Sequence, residues 1–115
     1  MRGAIQVAAD ERQDILDGAS ELVVAVMARN CIDVDDLISI LFTATPDLNA
    51  EFPAYAARQL GLTDVPLMCA CEIAVPAALP RTLRLLAHFD TELQRSEIRH
   101  VYLGGAAALR TDLPR

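Results

Sequence analysis

The feature that most constrains the fold is the run Leu37–Ala44 (LISILFTA), which is apolar or β-branched at almost every position. Such a run is typical of a strand buried on both faces, because a strand with one wet face alternates polar and apolar residues. Residues 65–73 (VPLMCACEI) form a second run of the same character. Both runs are far shorter than the roughly 20 residues that span a bilayer. The sequence therefore predicts a sheet that needs cover on both faces.

Two segments have helical patterns. Asp10 is predicted to be the N-cap of a long helix that ends near Arg29, and residues 52–60 (FPAYAARQL) predict a short helix. Pro53 fits the first turn of the short helix, and Gly61 fits the position after its end. The apolar residues of the long helix fall on one face: Ile15, Leu16, Ala19, Leu22, Val23, Val26 and Met27.

The remaining segments complete an α+β fold. Residues 2–7 and 99–103 predict short strands, Gly104 and Gly105 predict a turn, and residues 81–89 (RTLRLLAHF) suit either a helix or a strand. The 115 residues suffice for a single domain, taken as residues 1–115. One long and one short helix on one side of about five strands leave the other sheet face open. With 53% hydrophobic residues, we expect that face to meet other subunits.

The charge balance limits the partners. The net charge of -6 argues against nucleic acid and against an anionic membrane surface, since binding to both depends on positive charge. A small anionic ligand stays possible because a binding site is local. All ten basic residues are arginine, so any anion site must be built from guanidinium groups, which are planar and always charged.

Motifs for metal or nucleophilic chemistry are lacking in the sequence. Cys69 and Cys71 are one residue apart, which is not zinc spacing, and small core residues are the simpler interpretation. Neither His88 nor His100 has a ligand-like spacing, and no P-loop, GxGxxG, HExxH or GxSxG motif occurs. We therefore expect no cofactor and no metal. Together with Cys31 the chain has three cysteines, an odd number, and no secretory signal is visible. We therefore expect a cytoplasmic protein with free thiols.

Four polar residues interrupt or end apolar strands, namely Arg2, Glu72, Arg84 and Tyr102. A charge in a buried strand is costly unless it is paired or serves a ligand. One interpretation is an internal Arg84–Glu72 ion pair, or side chains that leave the sheet at an edge. The other is a small pocket with several arginines and one carboxylate, suited to a small, doubly negative ligand. On residue types alone the first interpretation is the simpler.

Four segments carry a family resemblance: residues 43–60 (TATPDLNAEFPAYAARQL), 65–72 (VPLMCACE), 81–91 (RTLRLLAHFDT) and 98–110 (IRHVYLGGAAALR). They closely resemble the AroH class of chorismate mutases, as does the opening RGA that precedes a long helix. The ATPDL…FPA and RHVYL…LR parts are specific, and the resemblance covers nearly the whole chain.

The resemblance implies both fold and activity. The fold is a mixed five-stranded sheet packed on a long and a short helix, which makes residues 81–89 a strand. Three subunits form a homotrimeric pseudo-α/β barrel, with the sheets inside and three active sites at subunit interfaces. The implied reaction is the cofactor-free rearrangement of chorismate to prephenate, which leads to phenylalanine and tyrosine.

The resemblance also implies roles for single residues. Arg84 matches the arginine that hydrogen-bonds the ether oxygen of the substrate. Glu72 and Cys69 match residues near the ring hydroxyl. Arg2 matches an arginine that binds a substrate carboxylate, and Tyr102 matches a tyrosine that lines the pocket near a carboxylate.

Further matching residues surround this set. Phe52 and Arg58 match residues that the neighbouring subunit contributes, and Leu109 and Arg110 match the C-terminal segment that closes over the site. Tyr55 departs from the pattern, because a lysine stands there in a well-known member. The change removes one positive charge from the rim of the pocket.

Two other functions compete with this assignment. An imine deaminase on the related trimeric architecture would use Glu72 to activate water, but it leaves Arg84 and the RHVYL…LR segment unexplained. A trimer that binds a small carboxylate without turnover is the second, and the change at Tyr55 leaves room for it. The joint presence of Arg2, Glu72, Arg84 and Tyr102 favours the enzyme.

Overall fold

A computed structural model describes residues 1–109 of the chain. The described part contains two α-helices, α1 (Arg12–Arg29) and α2 (Pro53–Gln59), and three 3₁₀ segments at Val34–Asp36, Arg95–Glu97 and Gly104–Leu109. Its five strands are β1 (Arg2–Gln6), β2 (Leu37–Ala44), β3 (Leu67–Cys71), β4 (Thr82–Phe89) and β5 (Val101–Leu103). None of the helices in this part is long and apolar enough to cross a membrane.

The strands form one mixed sheet in the order β3-β2-β4-β1-β5. The central strand β4 runs antiparallel to β1 and β2, whereas β3 is parallel to β2 and β5 is parallel to β1. The predicted mixed five-stranded sheet with one long and one short helix is therefore confirmed. The ambiguous segment 81–89 is mostly strand, as the resemblance implied.

Burial along β4 alternates with the period of two that is typical of a strand. Leu83, Leu85 and Ala87 are buried beneath the helices, whereas Arg84 and Leu86 are exposed on the opposite face. On the helix side, α1 contributes its predicted apolar stripe to one core with Phe42, Leu83 and Val101. The opposite face presents apolar side chains to solvent, among them Met68, which is 66% exposed. The expected uncovered sheet face is thus present in the described chain.

The start of α1 differs from the prediction. Glu11, not Asp10, is the N-cap residue, and its side chain makes no capping hydrogen bond. The carboxylate of Asp10 instead accepts hydrogen bonds from the backbone N–H groups of Asn49 and Ala50, at 2.9 and 3.0 Å. Because the same carboxylate chemistry serves a helix end or a distant loop, residue type alone did not distinguish the two.

Several predicted bounds were too long. The strands predicted at residues 2–7, 65–73 and 99–103 are each shorter, since they end where pairing with a neighbouring strand ends. Gly104 and Gly105, predicted to form a turn, instead begin the 3₁₀ segment Gly104–Leu109, which packs against β1. Gly104 has a φ of +57°, and a Cβ on Gly105 would lie 1.9 Å from a side-chain oxygen of Gln6.

A polar cluster fixes the turn that leads into β4. Arg81 adopts a φ of +51°, which is unusual for a residue with a side chain. Its backbone N–H donates to the Asp47 carboxylate at 3.0 Å, and its Nε donates to the carbonyl of Val7 at 3.1 Å. The hydroxyl of Thr45 donates to Asp47 and accepts from the N–H of Thr82. These bonds compensate the strained turn that precedes the central strand.

Acid should weaken this cluster. The hydrogen bond from Thr45, followed by the backbone bond from Arg81, holds the pKa of Asp47 below its ordinary value. Since the pKa is lower in the folded state than in the unfolded state, the stabilisation is fully present above about pH 4 and is lost as the pH falls through the folded pKa. In urea unfolding followed from pH 7 to pH 2, the wild type should lose more stability than Asp47→Asn. Parallel pH profiles for the two proteins would contradict this role of Asp47.

Candidate active site

A cavity of about 280 Å³ opens on the uncovered face of the sheet. Five of the residues singled out from the sequence line it together: Arg2, Glu72, Arg84, Tyr102 and Leu109. The rest of its wall is mostly apolar and includes Leu41, Thr43, Leu85 and Leu86. Residues from four strands and from the last 3₁₀ segment thus meet at one site, which we call the Arg84 cavity.

Strand register places the principal side chains in one row. Arg84 at the centre of β4 lies opposite Ala4 on β1 and opposite Thr43 on β2. Ala4 in turn lies opposite Tyr102 on β5. Directly paired residues share a sheet face, so Arg84 and Tyr102 point the same way with the small Ala4 between them. The register thus explains why a cation and a phenol line the same cavity.

Arg84 and Glu72 form an ion pair inside this cavity. Nε of Arg84 lies 3.3 Å from Oε1 of Glu72, and the two side chains are 47% and 32% exposed. The backbone N–H of Glu72 bonds the carbonyl of Ala44, which holds the residue just beyond the end of β3. Both interpretations left open by the sequence thus apply: the pair forms, and it lines a pocket. An exposed pair stabilises a fold by only about 0–1 kcal/mol, so stability is a weak reason for its presence.

Thr43 belongs to this cavity and was missed by sequence reasoning. Its Oγ1 is buried, and within residues 1–109 no hydrogen-bond partner reaches it. An unpaired buried hydroxyl costs free energy. The only sequence signal for Thr43 was its position in LISILFTA, directly after the fully buried Phe42. Successive residues of a strand face opposite sides, so Thr43 faces away from the helix-side core.

Phe52 and Cys69 line a different cavity of about 460 Å³, which we call the Phe52 groove. It lies along β3 and the loop before α2, and Phe52 at its edge is 69% exposed. Cys69 pairs with Phe42 and therefore faces the helix side of the sheet. Glu72 comes three residues later, and positions three apart on extended chain face opposite sides. Within one chain, the structure does not bring Cys69 to the Arg84 cavity.

Tyr55 and Arg58 lie on the exposed side of α2, one turn apart. The guanidinium of Arg12 lies over the Tyr55 ring, 5.6 Å from its centroid. Arg12 also forms a 3.1 Å ion pair with Glu51, a residue that lines the Phe52 groove. Tyr55 is therefore tied to the start of α1. The predicted contribution of Arg110 lies outside the described residues.

The chain is similar to known proteins over nearly its whole length. The family model for chorismate mutase type I matches residues 1–113. The chain is 43% identical to the chorismate mutase AroH of Thermus thermophilus over 114 residues, which are 98% of this chain and 93% of that protein. It is 37% identical to the chorismate mutase AroH of Bacillus subtilis (strain 168), over 98% of this chain and 90% of that protein.

A solved structure has the same fold. A chorismate mutase from Clostridium thermocellum superposes with a TM-score of 0.93 at 41% sequence identity. The match covers 94% of this chain and 96% of the other. The similarity therefore extends over the elements that carry both cavities.

The buried hydroxyl of Thr43 yields a stability prediction. Thr43→Val keeps the shape of the side chain and removes an unpaired polar atom, so it should raise the free energy of unfolding by about 1 kcal/mol. Thr45→Val is the matched control, since it leaves the Thr82 N–H unpaired and should lower stability by about 1–3 kcal/mol. Urea denaturation of both variants measures the difference. A Thr43→Val protein that is as unstable as Thr45→Val would show that the Thr43 hydroxyl is paired in solution.

Proposed function

Because this chain belongs to the type I chorismate mutase family, we propose that it converts chorismate to prephenate and that the Arg84 cavity is one half of its active site. The observation that carries the proposal is the placement of Arg84. It lies at the centre of the sheet, on the uncovered face, in contact with Glu72 and in one cavity with Arg2 and Tyr102.

The chemistry suits these residue types. Chorismate rearranges in one step, in which a C–O bond breaks while a C–C bond forms. No proton is transferred and no nucleophile is needed. An enzyme accelerates such a reaction by holding the side chain of the substrate over its ring. It also acts by stabilising charge that appears only in the transition state.

Arg84 is proposed to supply the electrostatic stabilisation. As the C–O bond stretches, the ether oxygen gains negative charge, and a fixed cation beside it stabilises the transition state more than the ground state. The contact with Glu72 engages Nε of Arg84. A guanidinium has five N–H donors in a rigid plane, so a contact through Nε restrains the plane and leaves the four donors of the two outer nitrogens for a ligand. Glu72 would also hold the ring hydroxyl.

Arg2 and Tyr102 are proposed to bind the substrate carboxylates. Both line the Arg84 cavity from the β1–β5 side. Their interactions are the same in ground and transition states, so they mainly determine substrate affinity. Leu109, at the end of the last 3₁₀ segment, lines the cavity and is proposed to close over the bound substrate with apolar surface.

We further propose a homotrimer in which each active site combines the Arg84 cavity of one subunit with the Phe52 groove of the next. Two observations support it. The uncovered sheet face exposes apolar side chains such as Met68 and Leu86, which favours burial against another copy. The Arg84 cavity also contains only part of the predicted residue set, while Phe52 and Cys69 line the other cavity. Arg58 would then approach a substrate carboxylate from the neighbouring subunit.

The proposed setting is the synthesis of phenylalanine and tyrosine in the cytoplasm. Cys31, Cys69 and Cys71 are all free thiols, and two of them are exposed. Free thiols persist in reducing compartments.

Replacing Arg84 tests the reaction and its principal cation together. Arg84→Ala should lower kcat by at least about 10²–10³, the typical cost of losing one transition-state donor. Loss of the ultraviolet absorbance of chorismate measures turnover, and acid conversion of the product to phenylpyruvate identifies prephenate. Arg95→Ala is the control, because Arg95 is exposed and lines neither cavity. A folded wild type without turnover would refute the mutase. Near-normal kcat in Arg84→Ala would refute its mechanism.

Mixing variants tests the shared site. Arg84→Ala and Arg58→Ala damage opposite halves, so a trimer with interfacial sites can rebuild some intact sites from two defective chains. After denaturation and refolding of an equal mixture, about a quarter of the interfaces should carry Arg84 from one chain and Arg58 from the next. The value of kcat/KM should then recover to about a quarter of the wild-type value. A mixture no more active than the average of its components would place both arginines in one chain's site.

A further inference from the structure

The first residue of β1 is anchored by a side chain from the other end of the protein. The backbone N–H of Arg2 donates to Nδ1 of His100 at 3.0 Å, across 98 positions of sequence. Backbone pairing between β1 and β5 begins only at Gly3 and Val101. The imidazole of His100 thus provides one more hydrogen bond beyond the end of this parallel ladder, at the residue whose side chain enters the Arg84 cavity.

The direction of this bond defines the state of the ring. A backbone N–H is always a donor, so Nδ1 of His100 is the acceptor and carries no proton. The proton of the neutral ring is then on Nε2. The imidazole therefore lies beside the backbone N–H of Arg2, at the residue that directly precedes β5.

The chain around His100 is itself fixed. Asn30 at the end of α1 is 5% exposed and makes three hydrogen bonds with its side chain. Its amide donates to the carbonyls of Val26 and Arg99 at 2.9 Å, and its oxygen accepts from the Arg99 N–H at 2.7 Å. The backbone directly before His100 is therefore docked to the long helix.

On its other side, β1 is held by β4. The terminal amino group of Met1 donates to the carbonyl of Ala87 at 3.0 Å, and the Ala87 N–H donates to the Met1 carbonyl at 2.9 Å. Arg2 is thus fixed by β4 through its neighbour and by His100 through its own N–H. Without His100, hydrogen bonding between β1 and the β5 side of the sheet would begin only at Gly3.

We propose that His100 is a positioning residue that holds the Arg2 guanidinium in its substrate-binding place, by accepting the Arg2 backbone N–H through an unprotonated Nδ1. The inference rests on the proposed role of Arg2 in binding a chorismate carboxylate. His100 acts through Arg2 and need not touch the substrate.

Steady-state kinetics with chorismate test the proposal. His100→Ala removes the acceptor and should raise KM about three- to tenfold, the range of one net hydrogen bond, while kcat stays within about twofold. His100→Asn keeps an oxygen acceptor near the position of Nδ1 and should restore KM to near the wild-type value. Arg95→Ala is the control, since Arg95 is exposed and lines neither cavity, and it should leave KM unchanged.

A double-mutant cycle separates positioning from general structure. In an Arg2→Ala background, His100→Ala should have almost no further effect on KM, because the side chain that it positions is gone. An equal rise of KM in both backgrounds would overturn the proposal, as would wild-type KM in His100→Ala or a failure of His100→Asn to restore it. Calorimetric titration with prephenate measures the dissociation constant of each variant, and the ratios of these constants test the same predictions without turnover. A wild type without turnover would therefore refute the proposed function. The positioning role of His100 would still be tested by the prephenate affinities of the variants.

Discussion

The site depends on the alternation of side chains along the central strand β4. Burial of Leu83, Leu85 and Ala87 against the helices fixes the strand on one face, and the same pleat directs Arg84 outward on the other. A shift of the β4 pairing register by one residue would exchange its buried and exposed side chains. It would place the Arg84 guanidinium in the core, at a large desolvation cost. Core packing on the helix side is therefore what holds the proposed catalytic cation rigidly in an open cavity.

Much of this architecture follows from the sequence, and the failures have physical reasons. Apolar runs located the strands because burial dominates their composition, but their ends depend on pairing partners that a local pattern does not contain. Asp10 was taken for a helix cap and instead binds a distant loop. The opposite faces of Cys69 and Glu72 follow from strand parity alone, whereas the bond between His100 and Arg2 joins the two ends of the chain and has no local signal.

An acidic protein that is proposed to bind a dianion must concentrate positive charge locally. The Arg84 cavity does this with Arg2 and Arg84 against the single carboxylate of Glu72. At the Phe52 groove, by contrast, Arg12 is paired with Glu51 and stacked on Tyr55, so its charge is largely compensated within the chain. In the proposed trimer, Arg58 on the exposed side of α2 is then the cation that the second half of the site adds.

The uncovered sheet face would serve two purposes that place opposite demands on it. Apolar residues such as Met68 and Leu86 gain from burial against another subunit. Arg84 and Glu72 lose hydration there, and the loss is repaid only if a ligand of complementary charge fills the space between them. Keeping those polar groups in a cavity within an apolar face meets both demands. Association would exclude water around the cavity, and each electrostatic contact to the bound dianion would strengthen as a result.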